Sequence, residues 1–566
     1  MANKILTPIT LWSDFDDSLP LDAETVRENA QEGIVSARVR FGGRAVGSER
    51  VRISAVFARP SAEKEYPALL ILPDCSLTSD ETLIKLFVKK GYAVLMPDYR
   101  GEWEGCEEHT VYPKAISYAN YASAGRHLCY ADETARETSW YEWTALARYC
   151  VRYLGSLPCV TKIGAVGLKA GGEIVWQLAA TSAELSCAVT VCAGGWRAYR
   201  GLRKYGDNAE LKMDDERYRF LAGIESQSYA PYVKCPLLML CATNDENLDA
   251  DRAFDTYARI NPEVQKSFYF AARYDGHIGN TGLNDLSLFA EKYLKEKERI
   301  IPEPVLVSIE EDEGDLVARV SLEHNKSKGC RLDYCDLFMA EDDPDSSTRD
   351  WTVCPLKRDD KKDGLVFYLN AYKKAARVFA FAKAKYKSGF AVSSKIAVKK
   401  LEKEYANAVG RSRIIYSSEN GRDSFTIDNT SEKLIAGCFL NNESPPVVLM
   451  DGPQGIRGIA SEYGLKLFRI NEARYRPAEG ALLKFDIYSP SVCTLRVSLF
   501  VPAAAGEREV YTCEFELCGG DNWANFVVSA KDFKNSISKP LGQIGDAQYM
   551  TFSSDGVFCI NNLLWL

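Results

Sequence analysis

Histidine is scarce in this chain: 566 residues carry four, His109, His127, His277 and His324. They stand far apart, and no HExxH or paired His–carboxylate spacing occurs, so no metal site is predicted. Long apolar runs are missing as well. No stretch approaches the roughly 20 apolar residues that a bilayer-crossing helix needs, so no membrane partner is expected. Excess positive charge is also lacking, since 78 acidic residues against 70 basic ones leave a net charge of −8. A nucleic-acid partner would need a basic face, so a small or neutral ligand is the better fit. The 17 cysteines include no CxxC pair and follow no regular spacing. That pattern favours reduced, mostly buried thiols over a disulfide frame or a zinc site. The amino terminus has early acids and no continuous apolar core, unlike a secretory leader, and a cytoplasmic location is expected.

What is present divides the chain in three. A chain of this length exceeds one core and should split into domains. Residues 1–300 alternate apolar strand-like runs such as "ALLILPDC", "YAVLMPDYRG", "KIGAVGL" and "CPLLMLCATND" with helical patterns such as "WYEWTALARYCVRYLGSLP". Such alternation predicts an α/β domain with a mainly parallel, doubly wound sheet. Residues 196–232 interrupt the rhythm with a polar, aromatic-bearing stretch, read either as a short lid or as a connecting helix pair. From 301 the pattern becomes alternating. "RLDYCDLFMAE", "GLVFYLNAY" and "ARVFAFAKAKY" predict an all-β sandwich over 301–402, and the strand-like runs of 403–566 predict a second. The charged stretch 398–414 reads as a helical or extended link.

"IGAVGLKAGGEIVWQLAA", residues 163–180, holds a strand, a glycine-rich corner and the start of a helix. A glycine two before and another two after an apical residue, at a strand-to-helix corner, has a steric cause. The turn holds the apex in a strained conformation and brings backbones too close for side chains. Gly167 and Gly171 stand in those places, and the apex is Lys169. "GLKAGGE" lacks the spacing of both phosphate-binding loops, GxxxxGK[ST] and GxGxxG, so no cofactor is predicted.

Asp245 ends one later strand-like run and His277 follows the last. The segments "YPALLILPDC", "GYAVLMPDYRGEWEG", "GLKAGG", "ATNDENLD" and "YDGH" together resemble the α/β-hydrolase fold, on the side of dienelactone hydrolases and acetyl xylan esterases. The resemblance implies a catalytic triad at Lys169, Asp245 and His277, with Glu246 a weaker alternative to Asp245. It also implies oxyanion donors at the N–H groups of Cys75 and Ala170. In that family the apex is Ser or Cys. Here it is an amine that is protonated near neutral pH, with a reference pKa of about 10.4. Asp74 also enters the oxyanion region, where a carboxylate opposes the chemistry. The expectation is a catalytically silent hydrolase-like protein, with Lys169 ion-paired to Asp74, Asp245 or both, and Asp245 hydrogen-bonded to His277. The alternatives are an active hydrolase using a neutral Lys169 amine, or one using Cys75 or Ser76.

The last segment resembles jelly-roll carbohydrate-binding modules, and the middle one an immunoglobulin-like or fibronectin-like spacer. Tyr463, Tyr475, Arg476 and Trp523 are candidate sugar-contacting residues, with core packing as the competing reading of each. A runner-up resemblance, to cocaine esterases and X-prolyl peptidases, also joins a jelly roll to this fold. The implied ligand is a small-molecule or carbohydrate ester. No feature of the sequence specifies an oligomeric state.

Overall fold

Nine strands form one sheet in the first half of the computed structural model, which describes residues 5–566 apart from 63, 78, 104, 105, 107, 200, 207–212, 361–363, 429–432, 442–444 and 504–506. The strands are β1 (Glu24–Gln31), β2 (Ile34–Val46), β3 (Glu49–Pro60), β4 (Tyr66–Leu72), β5 (Ala93–Pro97), β6 (Val160–Leu168), β7 (Leu185–Val191), β8 (Leu237–Ala242) and β9 (Lys266–Ala271). Their spatial order is β1-β2-β3-β5-β4-β6-β7-β8-β9. From β5 to β9 every pairing is parallel. The apolar runs of β4 and β6 to β9 are buried on both faces, as a helix-covered parallel sheet requires. β1, β2, β3 and β5 pair antiparallel, an amino-terminal addition that the sequence reading did not resolve.

The helices are α1 (Pro8–Trp12), α2 (Glu81–Lys89), α3 (Ser139–Ser156), α4 (Ala170–Thr181), α5 (Asp215–Gly223), α6 (Ser226–Tyr229), α7 (Ala250–Ala258) and α8 (Gly279–Leu294). One face of the sheet packs on α3, α4 and α7 through Trp143, Trp176 and Tyr257. The other packs on α2 and α8 through Phe87, Leu286 and Phe289. Burying each such side chain contributes roughly 1.5–3 kcal/mol before entropy is subtracted. Capping sets where helices begin. Thr138 accepts the Tyr141 N–H at 3.2 Å to start α3, and Asp80 accepts that of Leu83 at 2.7 Å to start α2. Between β7 and β8, α5 packs on α1 and the turn at Ala135, and α6 on α4. Residues 200 and 207–212 of the expected lid lie outside the described residues.

Beyond α8, Leu306–Asp312, Asp315–Ser321, Gly364–Tyr368 and Leu356–Asp360 form a four-stranded sheet. A five-stranded one is built around Leu332–Glu341 and Arg377–Tyr386. Both contribute to one apolar core containing Leu316, Val320, Leu337, Val378 and Ala382. The 398–414 link is extended: Ala397–Lys400 pairs with Arg377–Tyr386. The remaining chain holds a six-stranded and a four-stranded sheet around Phe485, Val497, Leu499 and Phe552.

These parts share cores. Phe338, Trp351, Phe379 and Phe381 join the α3–α4 face, and Ile435, Ala436, Cys438 and Phe439 join the α2–α8 face. Among the described residues no helix is long and apolar enough to cross a membrane.

Candidate active site

The corner between β6 and α4 is formed by close backbone approach. A Cβ on Gly167 would lie 2.2 Å from the Gly171 carbonyl oxygen, and one on Gly171 would lie 2.0 Å from that of Leu72. Lys169, at the apex, has φ 51° and ψ −112°, a conformation that costs a side-chain-bearing residue of order 1–3 kcal/mol. Its N–H donates to the Val191 carbonyl at 2.7 Å, and its carbonyl accepts from Gly172 at 2.9 Å, so the strain is held from both sides.

The two expected oxyanion donors converge on one acceptor. Asp74 Oδ1 takes the N–H of Cys75 at 2.9 Å and that of Ala170 at 3.4 Å, while Oδ2 accepts from Ser76 Oγ at 2.8 Å. A carboxylate of the protein itself thus engages both N–H groups expected as oxyanion donors. Burial, followed by the charge of Asp74, pushes the Cys75 thiol up to about 12, so it is not a thiolate near neutral pH.

Lys169 does not form the expected direct ion pair. Its half-buried side chain ends near Gly276 and Gly437: a Cβ added to these would lie 3.3 and 3.7 Å from Nζ. Burial alone would depress the ammonium, but Cys438, Asp245, Cys192 and Asp74 outweigh it and hold Lys169 above the ordinary lysine value.

Asp245 and His277 are not hydrogen-bonded to each other, which corrects the expected pair. Asp245 Oδ1 accepts the N–H groups of Asn247 at 2.8 Å and Leu248 at 3.1 Å, capping its own turn, while Oδ2 has no hydrogen-bond partner among the described residues. Burial and then Asp275 raise its carboxyl to about 6. His277 is fully buried, with Nδ1 3.0 Å from the Asp275 carbonyl. A carbonyl only accepts, so Nδ1 carries the proton, and Nε2 is an acceptor without a hydrogen-bond partner among the described residues. Burial drives the imidazole down to about 4 against the pull of Asp275, with Lys169 and Lys466 opposing its charging further. Glu246 is engaged elsewhere, accepting from Arg508 Nη1 at 2.5 Å and from the Tyr549 hydroxyl at 3.2 Å.

The carboxyl-terminal segment closes the site. The Ile278 N–H donates to the Cys438 carbonyl at 2.8 Å, and the Ala436 N–H to Asp80 Oδ2 at 2.7 Å. Lys466 Nζ and Asp275 Oδ2 form a buried pair at 3.0 Å on the loop that carries His277. The sequence reading missed Gly437, Cys438 and Lys466 because no local pattern links positions so distant along the chain. The four candidate sugar residues do not form one exposed face. Tyr463 and Tyr475 are core residues, Trp523 is half-buried against Gly452 and Gly458, and Arg476 alone is exposed. No group of three or more metal-ligating side chains occurs among the described residues.

Sheet order, corner and the places of Asp245 and His277 define an α/β-hydrolase fold in the first half of the chain. Residues 53–268 match the dienelactone hydrolase family. Solved structures similar to part of the chain include acetyl xylan esterase 1 from Thermoanaerobacterium sp. JW/SL YS485, 17% identical over 49% of this chain and 89% of that one, with a TM-score of 0.38. An acetyl xylan esterase from Paenibacillus sp. R4 is also 17% identical, over 49% and 90%, with a TM-score of 0.37. The Pyrococcus horikoshii acylaminoacyl peptidase is 14% identical over 49% and 50%, with a TM-score of 0.34. No curated protein matches the sequence.

Proposed function

We propose that the protein is a catalytically silent α/β-hydrolase-fold binding protein, derived from an ester hydrolase and carrying Lys169 where the nucleophile stood. The observation that carries this reading is the Asp74 carboxylate, which accepts from both Cys75 and Ala170, the donors an acyl transfer would need. Three further facts support it. A cation cannot attack an ester carbonyl, and the surroundings of Lys169 favour the cation. His277 is neutral but has no nucleophile to deprotonate, and Asp245 does not orient it. The thiol of Cys75 is held protonated. The ligand class proposed is a small-molecule or carbohydrate ester or its acid, and the two β regions are proposed as a spacer sandwich at 301–402 and a jelly-roll-like module at 403–566.

Hydrolysis of p-nitrophenyl acetate tests the reading. The native protein is expected to match the buffer blank, and Lys169→Ser to stay near it, because Asp74 still engages the oxyanion donors. Lys169→Ser combined with Asp74→Gly is expected to be the first variant with measurable turnover. Native turnover that disappears in His277→Ala would overturn the proposal.

A further inference from the structure

Where the three parts of the chain meet, beside the loop from β9 to α8, lies a cavity of about 290 Å3, at the small end of ligand-sized sites. Its wall carries three cations, Arg273 from the first part, Lys383 from the second and Arg422 from the third, against one carboxylate, Asp423. Tyr274 and Phe425 supply aromatic surface, and the first turn of α8, Gly279–Thr281, closes one side. The amino end of a helix carries partial positive charge, which adds to the cationic balance of the wall.

The cations are loosely partnered. Arg273 Nη2 stands 3.6 Å from Asp423 Oδ1, and Lys383 Nζ stands 3.7 Å from Asp336 Oδ2 behind it, both beyond hydrogen-bond length. Arg273 Nη1 is buried and has no hydrogen-bond partner among the described residues. The Arg273 guanidinium and the Lys383 ammonium lie 6.0 and 5.3 Å from the centroid of the same Phe338 ring. Arg273 is also held at φ 69°, strained for a residue with a side chain. Three cations against one carboxylate leave the wall with positive charge that an incoming oxyanion can meet, and guanidinium groups bind carboxylate and phosphate oxygens in a fixed fork.

We propose that this cavity binds a small organic anion, its carboxylate or phosphate oxygens on the Arg273 guanidinium and Lys383 Nζ and its apolar body against Tyr274 and Phe425. The site is separate from the Lys169 corner and does not depend on whether that corner is silent. Calorimetric titration of the full chain with benzoate, phenyl phosphate and neutral benzyl alcohol tests it. One or both anions are expected to bind at a single site and to weaken as salt is raised, while benzyl alcohol binds at least tenfold less well. Benzoate alone would assign a carboxylate ligand, and phenyl phosphate alone a phosphate. Arg273→Gln and Lys383→Met are each expected to weaken the anion at least tenfold. Arg422→Ala, at the exposed rim, provides a variant that does not disturb the packing and is expected to cost a few-fold. The proposal is overturned if neither anion binds, if benzyl alcohol binds equally, or if all three variants stay within twofold of the native affinity.

Discussion

At the level of single residues, the backbone geometry of the corner and the proposed loss of its chemistry can be tested separately. Gly171→Ala would drive a Cβ to 2.0 Å from the Leu72 carbonyl, a backbone clash that no rotamer relieves. A loss of about 2–4 kcal/mol, read as a lowered denaturation midpoint, is expected. His277 offers a proton test. Its folded pKa of about 4 lies below the unfolded value, so between about pH 6.5 and pH 4 the unfolded chain binds a proton that the native one refuses. Stability from this group is therefore complete above pH 6.5 and falls as pH drops through that window, by roughly 3 kcal/mol. Asp245, raised to about 6, acts in the opposite direction, so the comparison must be with His277→Gln at each pH. The advantage of native over variant is expected to shrink by about that amount between pH 7 and pH 4. In 13C-histidine-labelled protein, the His277 resonance should remain neutral to near pH 4.

Among elements, what was legible in the sequence is what local rules encode. The apolar runs of β4 and β6 to β9 and the glycines of the corner follow from burial and steric contact between near neighbours, and they appear where those rules put them. The position of Asp74 could be read as well. That its side chain folds back onto the N–H groups of Cys75 and Ala170 could not, because it depends on how β4 and α4 approach. β1 escaped notice because all its residues are exposed, leaving no alternation to detect. The missing Asp245–His277 bond was equally hidden, since turn capping within 245–248 competes for the same carboxylate. Asp80 shows how one residue can join two elements, with Oδ1 capping α2 and Oδ2 accepting from Ala436. Asp80→Ala is expected to cost about 1–2 kcal/mol as a lost cap and to speed amide exchange at Ala436 and its neighbours. Asp80→Asn, which keeps one acceptor oxygen, should preserve the cap while losing the tie to Ala436.

For the molecule as a whole, buried charge fastens the parts together. Arg349 of the middle part makes a fork to Asp251 of α7 at 2.5 and 2.7 Å, with both side chains almost fully buried. Arg349→Met leaves Asp251 buried without its cation, and about 3–5 kcal/mol should be lost. Arg349→Met combined with Asp251→Leu should recover most of it, since the cost lies in the orphaned carboxylate and not in the missing pair. The segment Leu434–Leu440 extends this mutual dependence to assembly in time. Ribosomes deliver α8 long before Ile435 and Phe439, so during synthesis the α2–α8 face waits uncovered, with an incomplete core. The first half of the chain is thus a domain by topology but not by schedule, and it reaches its final packing only after the last third has emerged.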